Sequence, residues 1–174
     1  MEKRMKVGNV LKYINQWKMK WRQKRAGHAT IYYNPKWGYI IASETTLKDS
    51  VAWVTMNPVD TRKPDVAEKQ LGEAILAALC KSRVAAPIER REIEGFKFWQ
   101  VTGIKGFAAF SKKFQCVEVK ENGDMLKLEK LKRESDGSYS WIKNEKGIEL
   151  PMSCTEESIG RSVYHILRSN EGNI

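Results

Sequence analysis

Residues 115–131 read Gln-Cys-Val-Glu-Val-Lys-Glu-Asn-Gly-Asp-Met-Leu-Lys-Leu-Glu-Lys-Leu. Two β-type arms, 115–119 and 125–131, flank Asn122-Gly123, a pair whose ease in the left-handed region makes it the strongest short hairpin signal in the chain. Antiparallel pairing is therefore the starting point. Downstream, Asp136-Gly137 and Glu145-Lys146-Gly147 mark further turns between strands at 139–142 and 148–150, so the C-terminal third reads as a β-meander. Thr155 then caps a last helix running to about residue 168, with Glu156 and Glu157 in its first turn, where the helix dipole favours acids.

Working back toward the N-terminus, strands are expected at 30–33 and 39–42, joined by a hairpin connection at 34–38, and at 51–56. The polar, proline-bearing stretch 60–64 reads as a loop. Asp65, with Glu68 three residues on, resembles a capping box opening a helix whose inward face is Leu71, Ile75, Ala78, Leu79 and Ser82, and Pro87 marks the exit. Residues 96–102 read as a strand with aromatics at Phe96 and Phe98, and 104–114 as a short helix. The two main helices share a pattern: Leu71-Gly72-x-Ala-Ile-x-x-x-Leu79 aligns with Ile159-Gly160-x-Ser-Val-x-x-x-Leu167. Glycine costs a helix interior about 1 kcal/mol relative to alanine. Two at matching positions predict close backbone packing, expected here against the sheet. The fold class is α/β in the broad sense (α+β): one domain over 1–174, a mostly antiparallel sheet with helices packed against it.

The chain has 174 residues, 41% hydrophobic and 30% charged, a soluble globular composition. No apolar run approaches the ~20 residues of a membrane span. No apolar core of a signal peptide follows the basic N-terminus. Three widely spaced cysteines, Cys80, Cys116 and Cys154, and two histidines offer neither a disulfide framework nor a zinc spacing. Cys80 is expected as a small core residue. The cytosol is the implied compartment.

Charge is uneven. The net charge is +10, of which residues 1–25 contribute +8. Within them, 7–25 reads as a basic amphipathic helix with Val7, Val10, Leu11, Ile14, Trp17 and Trp21 along one stripe. An acidic partner is to be sought near this end.

Chemistry is harder to find. Walker, dinucleotide-binding, HExxH and nucleophile-elbow motifs are absent. Gly103-Ile-Lys-Gly106 lacks the remaining glycine and the Lys-Ser/Thr ending of a phosphate loop, and reads as a tight loop. His28 and His165 lie far apart in sequence, and Glu89, Glu92, Glu94, Glu129 and Glu134 are interleaved with Lys and Arg as on a solvated face. No converging set of perturbed groups is nominated. Among the six tryptophans, Trp53 and Trp99 fall in expected strands and read as core, whereas Trp37 lies at a loop tip, where a large aromatic suits an interface. Charge and expected exposure nominate Arg22, Arg25, Lys36 and Trp37 as partner-binding residues.

The segment 71–79 with Ser82-Arg83, then Phe98-Trp99 leading into Ile104-Lys105-Gly106-Phe107-Ala108-Ala109-Phe110-Ser111-Lys112-Lys113, then Glu157-Ser158-Ile159-Gly160, together resemble bacterial contact-dependent growth inhibition (CDI) immunity proteins. The likeness spans roughly residues 30–170. The basic N-terminal helix has no counterpart in it, and Phe107 stands where a tryptophan or tyrosine is expected. The resemblance implies no catalysis and no cofactor. It implies as partner the cognate toxin C-terminal domain of a large secreted effector, bound and neutralised in the cytosol. A chain of +10 suits an acidic patch on that toxin. The alternative is a nucleic-acid-binding module using the basic 3–25 helix on phosphates, with Tyr13, Trp17 and Trp21 for stacking. A membrane-surface use of the same helix is the third reading.

Overall fold

The computed structural model describes residues 26–95 and 97–168. The basic helix expected over 7–25, with Arg22 and Arg25, lies outside the described residues, as does Phe96. The strands are β1 (His28–Asn34), β2 (Gly38–Thr46), β3 (Trp53–Thr55), β4 (Asp60–Arg62), β5 (Gln115–Asn122), β6 (Met125–Arg133), β7 (Tyr139–Trp141) and β8 (Ile148–Pro151). The helices are α1 (Glu68–Val84), α2 (Phe107–Ser111) and α3 (Glu156–Arg168), with 3-10 helices at Arg90–Gly95 and Phe98–Thr102. All eight strands join one sheet in the order β3-β2-β1-β5-β6-β7, with β4 beside β2 and β8 beside β6. Every named strand pairing is antiparallel, giving a single α+β domain.

The central strands are buried on both faces, which accounts for the unbroken burial of His28 to Tyr33. Ala29, Ile31 and Tyr33 of β1, with Tyr39, Ile41, Val117, Val119, Leu126 and Leu128, face α1 and α3. Leu71, Ile75, Ala78, Leu79 and Ser82 form the buried side of α1, as the spacing predicts. The alternate residues Tyr32, Ile40, Ala42 and Cys116 meet Phe98, Phe110 and Phe114 in a second, aromatic layer. Phe110 and Phe114 stack with centroids 4.2 Å apart, and Tyr32 stacks on Phe98 at 5.0 Å.

Several expectations are corrected. Residues 60–62 form an edge strand, with Tyr39 opposite Arg62 and Ile41 opposite Asp60. Pro64 lies beyond the pairing, so it removes no ladder hydrogen bond. Residues 98–102 coil into a 3-10 helix because Phe98 and its neighbour Trp99 both pack on the aromatic layer, whereas a strand would send them to opposite faces. The expected helix at 104–114 is shorter, five residues from Phe107. The C-terminal strands are not a simple meander. β6 is long enough to pair β7 at 131–133 and β8 at 125–128 along one edge. The hairpin loop is Gly123-Asp124, with Asn122 the last ladder residue, opposite Met125.

No capping box forms at α1. Its N-cap is Ala67 without a side-chain cap, and the Glu68 carboxylate instead accepts from Arg161 Nε at 2.9 Å. At α3 the expected cap is present, with Ser158 N–H donating to Thr155 Oγ1 at 3.2 Å. Gly72 and Gly160 face the opposite helix, not the sheet. Cys80 falls on the exposed side of α1, and Trp53, on a three-residue edge strand, is 37% exposed.

Candidate partner-binding surface

The β1–β2 turn is tied down by its own side chains. Asn34 Oδ1 accepts from the Lys36 backbone N–H at 2.8 Å, while Asn34 Nδ2 donates to the Lys113 carbonyl at 2.7 Å. Gly38 closes the turn at φ 80°, and a Cβ there would lie 2.1 Å from the Arg62 carbonyl oxygen, so only glycine fits. Lys36 is exposed, with its ammonium 4.8 Å above the Trp37 ring. Trp37 is half-buried: its indole leans on Phe114 at 5.9 Å and Nε1 donates to the Thr102 carbonyl at 3.2 Å. The loop-tip tryptophan is thus folded back on the aromatic layer with only part of its ring open. Of the four nominated residues the structure brings these two together, and Arg22 and Arg25 lie outside the described residues.

At the far end of β1, a charged cluster was not legible beforehand. His28 Nε2 is 2.7 Å from Glu118 Oε1 on β5, and Nδ1 is 2.5 Å from Glu44 Oε2 on β2. The second contact is an ion pair bent away from hydrogen-bond geometry. Thr30 Oγ1 donates to Glu44 Oε1 at 2.6 Å, and Trp141 Nε1 to Glu118 Oε2 at 2.9 Å. The Trp53 ring stacks on the imidazole, centroids 4.5 Å apart. Lys120 Nζ bridges Glu118 at 3.2 Å and Glu129 at 2.8 Å. Glu44 and Glu118 are buried with the imidazole.

Burial alone would lower the His28 pKa, but the hydrogen bond to Glu118 and the close negative charges of Glu44 and Glu118 outweigh it and raise the value to about 9. Burial would likewise raise Glu118, yet the hydrogen bonds from His28 and Trp141, with the charges of His28 and Lys120, pull it down to about 2. The result is an imidazolium held between two buried carboxylates, with the Lys120 ammonium as a second cation beside Glu118. An imidazolium with each N–H facing a carboxylate offers no lone pair, so at neutral pH this histidine is neither base nor nucleophile. Its role in the fold is to clamp three neighbouring strands. The signal was present as alternation: His28, Glu44 and Glu118 each occupy the sheet face that Tyr32, Ile40 and Cys116 share further along the same strands. Reading it required the pairing register, which the sequence does not print.

The remaining candidate chemistry is dispersed. His165 is exposed on α3. Cys80 on α1, Cys116 on β5 and Cys154 in the turn before α3 are free thiols, and burial raises the pKa of Cys116 well above its ordinary value. Among the described residues no three of His, Cys, Asp and Glu are arranged to hold a metal ion, and no helix is long and apolar enough to cross a membrane. Gly103 and Gly106 both have positive φ and open surroundings, as befits a tight loop.

Comparison with known proteins adds the following. The model of the CDI immunity protein family matches residues 27–169. A protein of unknown function from Neisseria meningitidis has a similar structure, with a TM-score of 0.67 at 17% identity, covering 84% of this chain and 96% of its own. A CdiA-CT/CdiI toxin and immunity complex from Yersinia pseudotuberculosis contains another, with a TM-score of 0.66 at 17% identity, covering 82% and 96%. At that identity the two structures share the fold. A search of the curated proteins found no match.

Proposed function

Because this chain belongs to the CDI immunity protein family, we propose that it neutralises its cognate CDI toxin by gripping the toxin's C-terminal domain, acting in the cytosol and by binding alone. The observation that carries the reading is the family match, which runs from the residue before β1 to the end of α3. The chemistry of the domain agrees with it. Its converging titratable groups are locked into ion pairs rather than poised, and its surface carries partly exposed aromatics of the kind that anchor interfaces. We place part of the contact at the β1–β2 turn, through Lys36 and the open part of Trp37, with Arg22 and Arg25 as further contacts on grounds of charge.

The test is co-expression with the toxin domain encoded beside it, scored for growth, together with co-purification of the two proteins. Rescue with a stable complex is the expected result. Loss of growth despite soluble immunity protein, with no complex recovered, would sink the reading.

A further inference from the structure

Charge on this domain is mixed almost everywhere except in one place. Lys48 pairs with Glu89, Lys69 with Glu73, Lys120 with Glu118 and Glu129, Lys127 with Glu129, and Lys132 with Glu134. The aromatic layer behaves differently. Residues 95–117 contain Lys97, Lys105, Lys112 and Lys113 and not one Asp or Glu, and Lys36 is the sole Lys, Arg, Asp or Glu between residues 28 and 43. All five lysines are exposed, and none forms an ion pair with another described residue.

The fold gathers four of them, and Lys112 is the neighbour of Lys113 in sequence. Trp37 is the junction: the Lys36 ammonium lies 4.8 Å and the Lys113 ammonium 5.8 Å from the same indole centroid. Its Nε1 reaches the Thr102 carbonyl, where the 3-10 helix ends and the Gly103–Gly106 loop begins. Beyond that junction, Lys97 and Lys105 line one shallow depression of about 340 Å3 with Trp99. Val101, 56% exposed, adds an apolar contact on the same segment. Two like charges held over one ring with no carboxylate between them raise the energy of the free protein, and an opposite charge relieves it.

We propose that this layer is a docking surface for an acidic patch on the toxin, with Lys36, Lys97, Lys105, Lys112 and Lys113 supplying the charge and Trp37 the anchor. The inference rests on the immunity reading and adds to it which side of the domain meets the partner and what the partner presents. A protein partner fits better than a nucleic acid. Binding of single strands needs aromatic faces free for bases. Here the Trp37 ring carries Lys36 and Lys113, and Trp99 is engaged by Phe98 at 5.5 Å and Phe107 at 5.6 Å. All five cations are lysines, point charges without the bidentate fork that favours phosphate.

The experiment measures association of the full-length protein with the purified toxin domain by stopped flow between 25 and 300 mM NaCl. The variants are K36E/K113E, the milder K36Q/K113Q, and K97E/K105E. The control, K143E/K146E, makes the same change of charge at exposed lysines elsewhere. Electrostatic steering predicts that the on-rate of each glutamate variant falls tenfold or more at low salt, with the glutamine variant between, and that the difference shrinks as salt rises. The control stays within about twofold. Equal losses in variants and control, or unchanged rates in all, overturn the proposal while leaving the immunity reading intact. Absence of any wild-type complex defeats that reading, and this one with it. Tight binding of a mixed-sequence single-stranded RNA 30-mer, abolished by K36E/K113E while toxin association is unchanged, assigns the surface to nucleic acid and overturns the proposal.

Discussion

Gly72 and Gly160 mark the crossing of α1 and α3, each against the first turn of the other helix. A Cβ on Gly72 would lie 1.8 Å from the Glu156 carbonyl oxygen, and one on Gly160 1.8 Å from that of Glu68. The contact is reciprocal, since each glycine sits four residues after the residue that meets its counterpart. Alanine gains about 1 kcal/mol of intrinsic helix preference over glycine. Here the added methyl meets backbone that cannot rotate away. G72A and G160A should therefore each destabilise the domain by roughly 1–3 kcal/mol, the usual cost of overpacking. The double variant should lose less than the sum, because one separation of the helices relieves both clashes. Urea denaturation measures all three, and a rise in midpoint for either single variant contradicts the packing.

The His28 triad makes stability depend on pH in a stated direction. Folded His28 keeps its proton to about pH 9, against an ordinary value of 6.5. Its contribution is therefore whole below pH 6.5 and is lost as pH rises through 9. Glu118 runs the other way: held at about 2 against 4.5, it contributes fully above pH 4.5 and loses this as pH falls toward 2. Between pH 4.5 and 6.5 both contributions stand. His28→Gln leaves two buried carboxylates without their cation, a loss of about 3–5 kcal/mol for breaking a buried pair from one side. Unfolding midpoints at pH 5.5 and 9 should converge between wild type and variant. An undiminished gap at pH 9 would show that His28 is not the group titrating.

Arg168, in the last turn of α3, is held in an aromatic cage. Its guanidinium lies 4.1 Å from the Tyr164 ring centroid and 5.1 Å from that of Tyr33, and Nε donates to Tyr39 Oη at 3.1 Å. A second guanidinium nitrogen donates to the Pro64 carbonyl. Arg168→Lys keeps the charge but loses the plane that stacks and the second donor, and should cost on the order of 1–2 kcal/mol. Thermal unfolding of R168K checks this, and a midpoint equal to wild type would mean that charge alone matters at the site.

The fold was legible where pattern is local, and obscure where it depends on pairing. The hairpin at Asn122-Gly123, the buried face of α1 and the cap at Thr155 are each written within a few neighbouring residues. The glycine pairing of α1 and α3 was half legible, because the repeated motif marks a close approach without naming its partner. The alternation of Phe96 and Phe98 misled, because Phe98 and Trp99 both serve the same layer, which a strand could not allow. The Glu68 carboxylate went to Arg161, distant in sequence, so its spacing from Asp65 carried no cap. At the candidate site, Lys36 and Trp37 could be nominated from their loop-tip position. The lysines of 97–113 that join them could not, because long-range contacts such as Trp37 with Thr102 and Asn34 with Lys113 bring the two segments together.

Neutralisation by binding has a stoichiometry that catalysis lacks. On the proposed reading, a domain whose one buried histidine is an imidazolium closed between Glu44 and Glu118 covers its target rather than turning it over. With nanomolar affinity, nearly every immunity molecule is bound at micromolar concentrations. Residual toxin activity plotted against added immunity protein should therefore fall linearly and break at a fixed molar ratio, one if a single domain covers a single toxin. Longer incubation should not shift the break. His28→Gln, assayed well below its unfolding temperature, should give the same ratio, because the triad holds strands and does no chemistry. Complete protection at a small fraction of the toxin concentration, deepening with time and lost in His28→Gln, would instead mark a catalytic antidote and overturn both the role given to His28 and the binding mechanism.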